Sequence, residues 1–511
     1  MNISPVIPVT IIAYLIMMIV IGIIFSKKNN NVSDFYLGGR TLGPIVTAMS
    51  AEASDMSSWL LMGLPGVAYL TGGAEAGWTA IGLAVGTYLN WLFVAKRLRI
   101  YSHKVGAITV PDFFANRYHD KSNALMCIAA VIILIFFVPY TASGFSACGK
   151  LFNTIFGWEY HTSMIISAIV IIAYTCSGGF LAASFTDLIQ SVVMTSALIS
   201  IVIFGCAKSG GAGSVFDNAS SIQGYLSLVN IHNAETGGSD PYTPLTVIST
   251  LAWGLGYFGM PHIILRFMAI EDKNKIKTSR RIASVWVVIS MAVAIFIGFI
   301  GNLLVNNGTV GALDDPERII IRIALFMSEH NLILAIIAGL VFAGILACTM
   351  STSDSQLLAA SSSMSENILK GVLKIKMDEK TSMICARAVL VVIAVLGVVL
   401  AWDQNSSVFR VVSFAWAGFG ATFGPVMLAA LFWKRSNKYG AIAGMIAGGI
   451  MVFLWKFAIA KIGGIFAIYE LFPAFVTALI AIVIVSVATS APDKEIADEY
   501  DSVITEANSR T

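Results

Sequence analysis

The sequence predicts an all-α polytopic membrane protein with thirteen transmembrane helices. Three observations carry that expectation. The 511 residues are 57% hydrophobic and only 12% charged, with a mean hydropathy of +0.81, where an ordinary soluble chain is about 25% charged. Thirteen stretches come close to the roughly 20 apolar residues that cross a bilayer. The basic residues, finally, alternate from side to side along the chain.

The first stretch, 5–26, is apolar all round. No basic region precedes it and no small-residue cleavage site follows, so it reads as a spanning helix rather than a signal peptide. Spans at 42–69 and 75–95 follow, the former holding Glu52 and Asp55, the latter ending in the basic run Lys96 to Lys121. Spans at 123–149, 160–181 and 185–207 lead to a Gly/Ser/Asn-rich connection, 208–242, with room for short helices. After the span at 243–268 comes a basic cluster, Lys273 to Arg281, and then spans at 282–306 and 329–354. The group Lys370 to Arg387 precedes spans at 384–402, 407–433, 440–460 and 465–490, and a polar, acidic tail closes the chain at 491–511.

With the N-terminus outside, 24 of the 32 Lys and Arg, Lys27, Lys28 and Arg510 among them, fall on the cytoplasmic side; six fall outside, and Arg266 and Lys456 lie within spans. Such a bias follows the positive-inside rule. It predicts a multi-pass plasma-membrane protein with its C-terminus in the cytoplasm. A formal charge of +3 gives no reason to expect a nucleic-acid partner. The six cysteines form no CxxC pair, so no disulfide framework or zinc site is indicated. The sequence offers no nucleophile–base pair, and the tail lacks a kinase or nucleotide motif; an enzyme and a fused sensor are both disfavoured.

Two spans are interrupted. The second contains "SAEASDMSS" (50–58), rich in side chains that compete for backbone hydrogen bonds. The seventh contains "AWGLGYFGMPHIILRF" (252–267), with three glycines and Pro261 within ten residues. Non-helical backbone at membrane depth is tolerated only beside protein or a water-filled cavity. Interrupted helices in matching positions of two halves point to a transporter's binding site. A channel would not need two broken helices around aromatic residues.

In "LACTMSTSDSQLL" the positions Cys348, Ser351, Thr352 and Ser355 follow i, i+3, i+4, i+7, one face of a helix. Hydroxyls and free carbonyls there suit a hard cation such as sodium, and equally suit helix–helix packing.

The stretches "YLGGRTLGP", "SDMSSWLLMGLPG", "GWTAIGLAVGTYLNW", "GGFLAASFTDLIQ", "WGLGYFGMPHIILRFMA", "MSTSDSQLL" and "FAWAGFGATFGPVMLAALFW" together resemble the sodium:solute symporter family, over about residues 5–480. The resemblance implies the leucine-transporter-like fold of five-plus-five inverted repeats, here 42–207 and 243–433. One extra helix (5–26) would precede them and two (440–490) follow, all in one transmembrane domain. It also implies sodium-driven import of L-proline by alternating access, with no obligatory protein partner.

Residue by residue, it implies a sodium site from the carbonyls of Ala53, Met56 and Cys348 and the hydroxyls of Ser351 and Thr352, with Asp55 orienting the unwound backbone. The proline pocket would be Ser54, Ser57, Trp59, Tyr140, Trp253, Tyr257 and Pro261. No Arg or Lys is expected close by, so the carboxylate would meet backbone N–H groups at a half-helix end. Arg40 matches a residue linked to the inner gate. Asp187, Ser351 and Ser355, with Asp354 at the edge, would form a second sodium position; the plainer reading puts Asp354 at a wet cytoplasmic mouth.

Departures from the family pattern are Met260, where glutamine is usual, Ser58 in place of glycine, and Asp354. Met260 keeps another small amino acid or osmolyte open as the solute. Glu52 is assigned only an ion pair on the cytoplasmic side.

Overall fold

The computed structural model describes residues 4–26 and 32–509; Lys27, Lys28 and Arg510 of the charge count lie outside the described residues. The chain is helical almost throughout. Helix α1 (Val6–Ser26) carries no charge in its 21 residues, enough for about 30 Å of hydrocarbon. Helix α2 (Val32–Leu37) ends at Gly38, Gly39 and Arg40, all with positive φ, and Pro44 opens α3 (Pro44–Ser58) at its first turn. The span continues through a wide turn at Trp59–Gly63 into α4 (Leu64–Thr71). Helices α5 (Gly73–Leu89) and α6 (Ala95–Lys104) form one run, and α7 (Val110–Arg117) starts at a reciprocal cap between Thr109 and Asp112.

Helix α8 (Ala124–Phe156) is followed by α9 (Tyr160–Lys208), bent at Gly179 with φ 62°. The connection 208–242 carries α10 (Ala212–Ser221) and a small hairpin of β1 (Asn230–His232) and β2 (Ser239–Pro241). Then α11 (Pro244–Leu251) tightens into a 3-10 segment, Ala252–Phe258, and turns by 43° into α12 (Pro261–Ala269). The remainder is α13 (Ile276–Asn306), α14 (Ile319–Ser328), α15 (Leu332–Ser362), α16 (Glu379–Leu400), α17 (Val408–Phe432), α18 (Lys438–Phe457), α19 (Leu471–Ala488) and α20 (Lys494–Asn508).

Among the described residues, ten helices are long and apolar enough to cross a membrane, eleven if the bent pair around Gly259 is one span. The two further stretches read from the sequence are the broken, polar 44–71 and the shorter Tyr160–Ala173. Both are helical; polarity and a break in one, and length in the other, keep them below that measure.

Helix α15 sits centrally, packed on α1, α3, α8, α9 and α16, while α17 packs on α8, α18, α19 and the 3-10 segment. Glycine permits one especially close approach. A Cβ on Gly86 of α5 would lie 2.3 Å from the Gly254 carbonyl, so the unwound segment can lie directly on α5.

Candidate functional site

The break in the second span is centred on Ser57, which holds φ 46° and ψ −172°. Positive φ is uncommon for a residue with a Cβ and carries a strain of order 1–3 kcal/mol. Local hydroxyls support it. Ser57 Oγ accepts the Trp59 N–H at 3.1 Å, and Ser54 Oγ donates to the Ser50 carbonyl at 2.6 Å.

Just before the break, the Ala53 carbonyl accepts the Ser351 hydroxyl at 2.8 Å. Ser351 Oγ also lies 3.2 Å from the Cys348 carbonyl, and Thr352 Oγ1 donates to that carbonyl at 3.1 Å. Four of the five oxygens expected for sodium are thus joined by short contacts, two within α15 and one from α15 to α3. Met56, the fifth, faces the neighbouring cavity. Asp55 points elsewhere: its Oδ2 accepts the Tyr257 hydroxyl from the other broken span, and its carbonyl accepts Tyr140 Oη at 3.4 Å.

That cavity holds about 10 Å³, room for roughly one water. Asp55, Met56, Trp59, Leu83, Tyr140, Trp253, Val412 and Trp416 line it. Of the expected pocket, Trp59, Tyr140 and Trp253 are in the wall. Tyr257 stands behind it, edge-on to Trp416 with ring centroids 5.1 Å apart. Ser57 forms the break, Pro261 opens α12, and Ser54 faces away, toward Asp187 and Ser355. Met260 is fully buried but outside the lining.

Trp416 was absent from the expected set. Its Nε1 donates to the Trp253 carbonyl at 2.7 Å, anchoring the unwound segment to α17. The signal available was an indole inside a glycine-rich span.

Trp59, Trp253 and Phe409 meet with ring centroids 5.5–5.9 Å apart. Phe409 also borders a polar cavity of about 780 Å³ lined by Glu75, Lys150, Glu317 and Arg410. The three rings are the partition between the two spaces. Glu317 fixes Phe409 in place: it accepts the backbone N–H groups of Val408 and Phe409 at 3.2 and 3.1 Å and pairs with Lys150 at 2.8 Å.

The surroundings of Asp187 correct the sequence reading. Arg266 is buried, and its guanidinium donates to Asp187 Oδ2 at 3.1 Å, Ser50 Oγ at 3.0 Å and Ser355 Oγ at 2.5 Å. It bonds Asp187 and Ser355, two of the residues expected at a second sodium position, and it is not among the residues lining the aromatic cavity. The sequence reading missed this partnership because it counted an arginine inside a span only as a charge, not as a partner. Asp354 is fully buried rather than at a wet mouth, with Oδ1 accepting Ser355 Oγ at 3.0 Å.

Glu52 is corrected too. Among the described residues it makes no ion pair; its Oε1 accepts Thr87 Oγ1 at 3.1 Å and Trp91 Nε1 at 3.0 Å, tying the broken helix to α5 and the turn after it.

Arg40 reaches across the basic side of the molecule. It donates to the carbonyls of Met268, Ser102 and Ala107 at 2.6, 3.1 and 2.5 Å, joining the start of the second span to α6 and α12. Burial, then neighbouring Arg99, lower its pKa to about 10, still a cation at neutral pH.

A frame of apolar helices, two of them broken and meeting around an oxygen cluster and an aromatic cavity, is that of a multi-pass membrane transporter. The chain belongs to the sodium:solute symporter family, whose profile matches residues 35–448. It is 42% identical to the high-affinity proline transporter PutP of Bacillus subtilis over 95% of this chain and 98% of that one. It is also 42% identical to the sodium/proline symporter of Haemophilus influenzae, over 96% of each chain, and 38% identical to that of Staphylococcus aureus, over 97% and 95%. Among solved structures, a sodium-coupled sialic acid symporter in a substrate-bound outward-open state shares the fold. Its TM-score is 0.78 at 19% identity, over 96% of this chain and 99% of that one. A nucleobase-cation-symport-1 family transporter in a closed conformation matches with TM-score 0.55 at 15% identity, over 92% and 99%.

Proposed function

We propose that the chain is a sodium-coupled symporter that imports L-proline across the plasma membrane by alternating access. The observation that carries the reading is the 2.8 Å contact between the Ala53 carbonyl and the Ser351 hydroxyl, at a helix break beside an aromatic cavity. The proline transport named for its relatives supports it. In this reading sodium takes the oxygens of Ala53, Met56, Cys348, Ser351 and Thr352, and Asp55 supplies negative potential from the next residue face. Hard cations favour such all-oxygen sets.

Trp59, Tyr140, Trp253 and Trp416 enclose the pyrrolidine, whose ammonium gains from aromatic faces. Ser54, Ser57, Tyr257 and Pro261 shape the unwound backbone around it. Since the cavity holds about 10 Å³, proline enters only when the Trp59–Trp253–Phe409 partition parts, and leaves when the Arg40 side opens. Closure toward both sides fits a transporter better than a channel. Met260, away from the cavity wall, gives no reason to prefer another solute.

The finer topology belongs to the same proposal: thirteen spans, N-terminus outside, two inverted repeats over 42–207 and 243–433, and two closing helices over 440–490. One sodium moving down ~100 mV and a tenfold gradient releases about 3.7 kcal/mol, enough for several hundred-fold accumulation.

Counterflow in proteoliposomes tests the reading. Labelled proline should exchange only with sodium present, and close analogues should compete. Exchange that ignores sodium, or fails for proline, would sink it.

A further inference from the structure

The acidic tail folds as α20, which buries Ile496, Tyr500 and Val503 along one face. Its polar residues grip two different groups of elements. On one side, Lys96 Nζ donates to the Ala507 carbonyl at 2.6 Å and Lys104 Nζ to Ser502 Oγ at 2.5 Å, while Lys273 pairs with Glu506 at 2.7 Å. These lysines stand on α6 and just after α12. On the other side, Lys434 pairs with Asp501 at 2.5 Å, His119 Nε2 lies 3.1 Å from Glu499, and the Arg117 guanidinium sits 5.4 Å from the Tyr500 ring centre. Those residues stand in the turn after α17 and at the end of α7, which leads into α8.

The cavity is lined by the same two groups. Asp55, Leu83 and Trp253 come from α3, α5 and the segment before α12; Tyr140 and Trp416 come from α8 and α17. Any path from the cavity to the basic side requires the groups to separate there. Arg40 ties only members of the first group and the connection that follows them. Across the seam, Arg97 of α6 donates to the Leu431 carbonyl of α17 at 3.1 Å, and helix α20 bridges the same two groups through several further contacts.

We propose that α20 is a cytoplasmic strap: docked, it holds the inner side of the transporter closed, and rising cytoplasmic ionic strength loosens it. Its contacts suit that use. Lys434 with Asp501 and Lys273 with Glu506 are partly exposed pairs, individually weak and screened by salt. Several acting together make a hold that ions can release. The inference rests on the transporter reading above.

Two cysteine bridges test it in the full chain, with the five native cysteines other than the fully buried Cys348 replaced by alanine, in 3:1 phosphatidylethanolamine/phosphatidylglycerol vesicles. One bridge joins Lys434→Cys to Asp501→Cys, the other Lys273→Cys to Glu506→Cys. Either bridge alone attaches α20 to one group only and should leave at least half of the sodium-driven proline uptake. Both together should cut uptake at least tenfold, keep sodium-dependent proline binding within twofold, and be reversed by reductant. Doubly bridged protein that transports as fast as singly bridged protein would overturn the strap. Unbridged, the Asp501→Asn/Glu506→Gln variant should release proline from loaded vesicles about threefold faster than the parent at 20 mM internal salt and equally fast at 0.5 M. Equal rates at both salts also count against it. An unbridged parent with no sodium-dependent uptake would instead refute the transporter reading on which the strap depends.

Discussion

Ser351 of α15 and Ala53 of the broken second span, 298 residues apart in sequence, are joined by a 2.8 Å hydrogen bond from hydroxyl to carbonyl. The same hydroxyl lies 3.2 Å from the Cys348 carbonyl. An oxygen shared between a helix break and an intact helix is well placed to exchange these contacts for a cation. Ser351→Ala should therefore raise the sodium concentration for half-maximal proline uptake about 10- to 100-fold, the loss of one strong polar contact of about 1.5–3 kcal/mol. Surface expression should be unchanged. A variant with unaltered sodium dependence would remove Ser351 from the ion site.

Asp55 and Tyr257 join the two interrupted spans by a buried hydrogen bond. Tyr257→Phe keeps the ring against Trp416 but leaves the carboxylate without that donor. Apparent sodium affinity should fall about tenfold or more, because hydrogen bonds to charged groups contribute roughly 1.5–3 kcal/mol. Asp55→Asn should weaken sodium dependence further still. If Tyr257→Phe lowers only the maximal rate, the tyrosine acts on gating rather than on the ion.

What was legible in the sequence is what acts locally. The breaks at Ser57 and around Gly259 follow from short polar and glycine-rich runs in apolar surroundings, and helical spacing alone puts Cys348, Ser351 and Thr352 on one face. Partnerships across the fold were not legible. Arg266 and Asp187 lie 79 residues apart, and Glu52 reaches Thr87 and Trp91 at separations of 35 and 39. Nothing in the spacing of any of these residues announces the other. Helix α20 escaped notice because its buried face is only Ile496, Tyr500 and Val503, too little apolar surface to stand out from a polar tail.

Lys150 pairs with both Asp315 and Glu317, at 2.9 and 2.8 Å, and is itself buried. Removing one member of a buried pair leaves an uncompensated charge, at a cost of about 3–5 kcal/mol. Lys150→Met should lower the midpoint of thermal unfolding in detergent clearly. Adding Glu317→Gln should recover part of the loss, a non-additivity that a double-mutant cycle reads directly. Strict additivity would mean that the two charges stabilise the fold independently.

Asp112, in the basic connection between the third and fourth expected spans, gives the protein a pH dependence of definite sign. Burial raises its pKa from 3.8 to about 6, against the opposing effect of hydrogen bonds from Thr109 and the Ile108 backbone. Asn367 Nδ2 also donates to it at 2.6 Å. Between pH 4 and 6 the folded chain thus binds this proton more tightly than the unfolded chain does. Stability from this group is fully present below about pH 4 and is lost as pH rises through about 6. The thermal midpoint should therefore be higher at pH 5 than at pH 7. Asp112→Asn, which keeps an acceptor for the backbone N–H groups at the start of α7 and needs no deprotonation, should flatten that difference and raise stability at pH 7. A midpoint difference between pH 5 and 7 that survives Asp112→Asn unchanged would assign it to other groups.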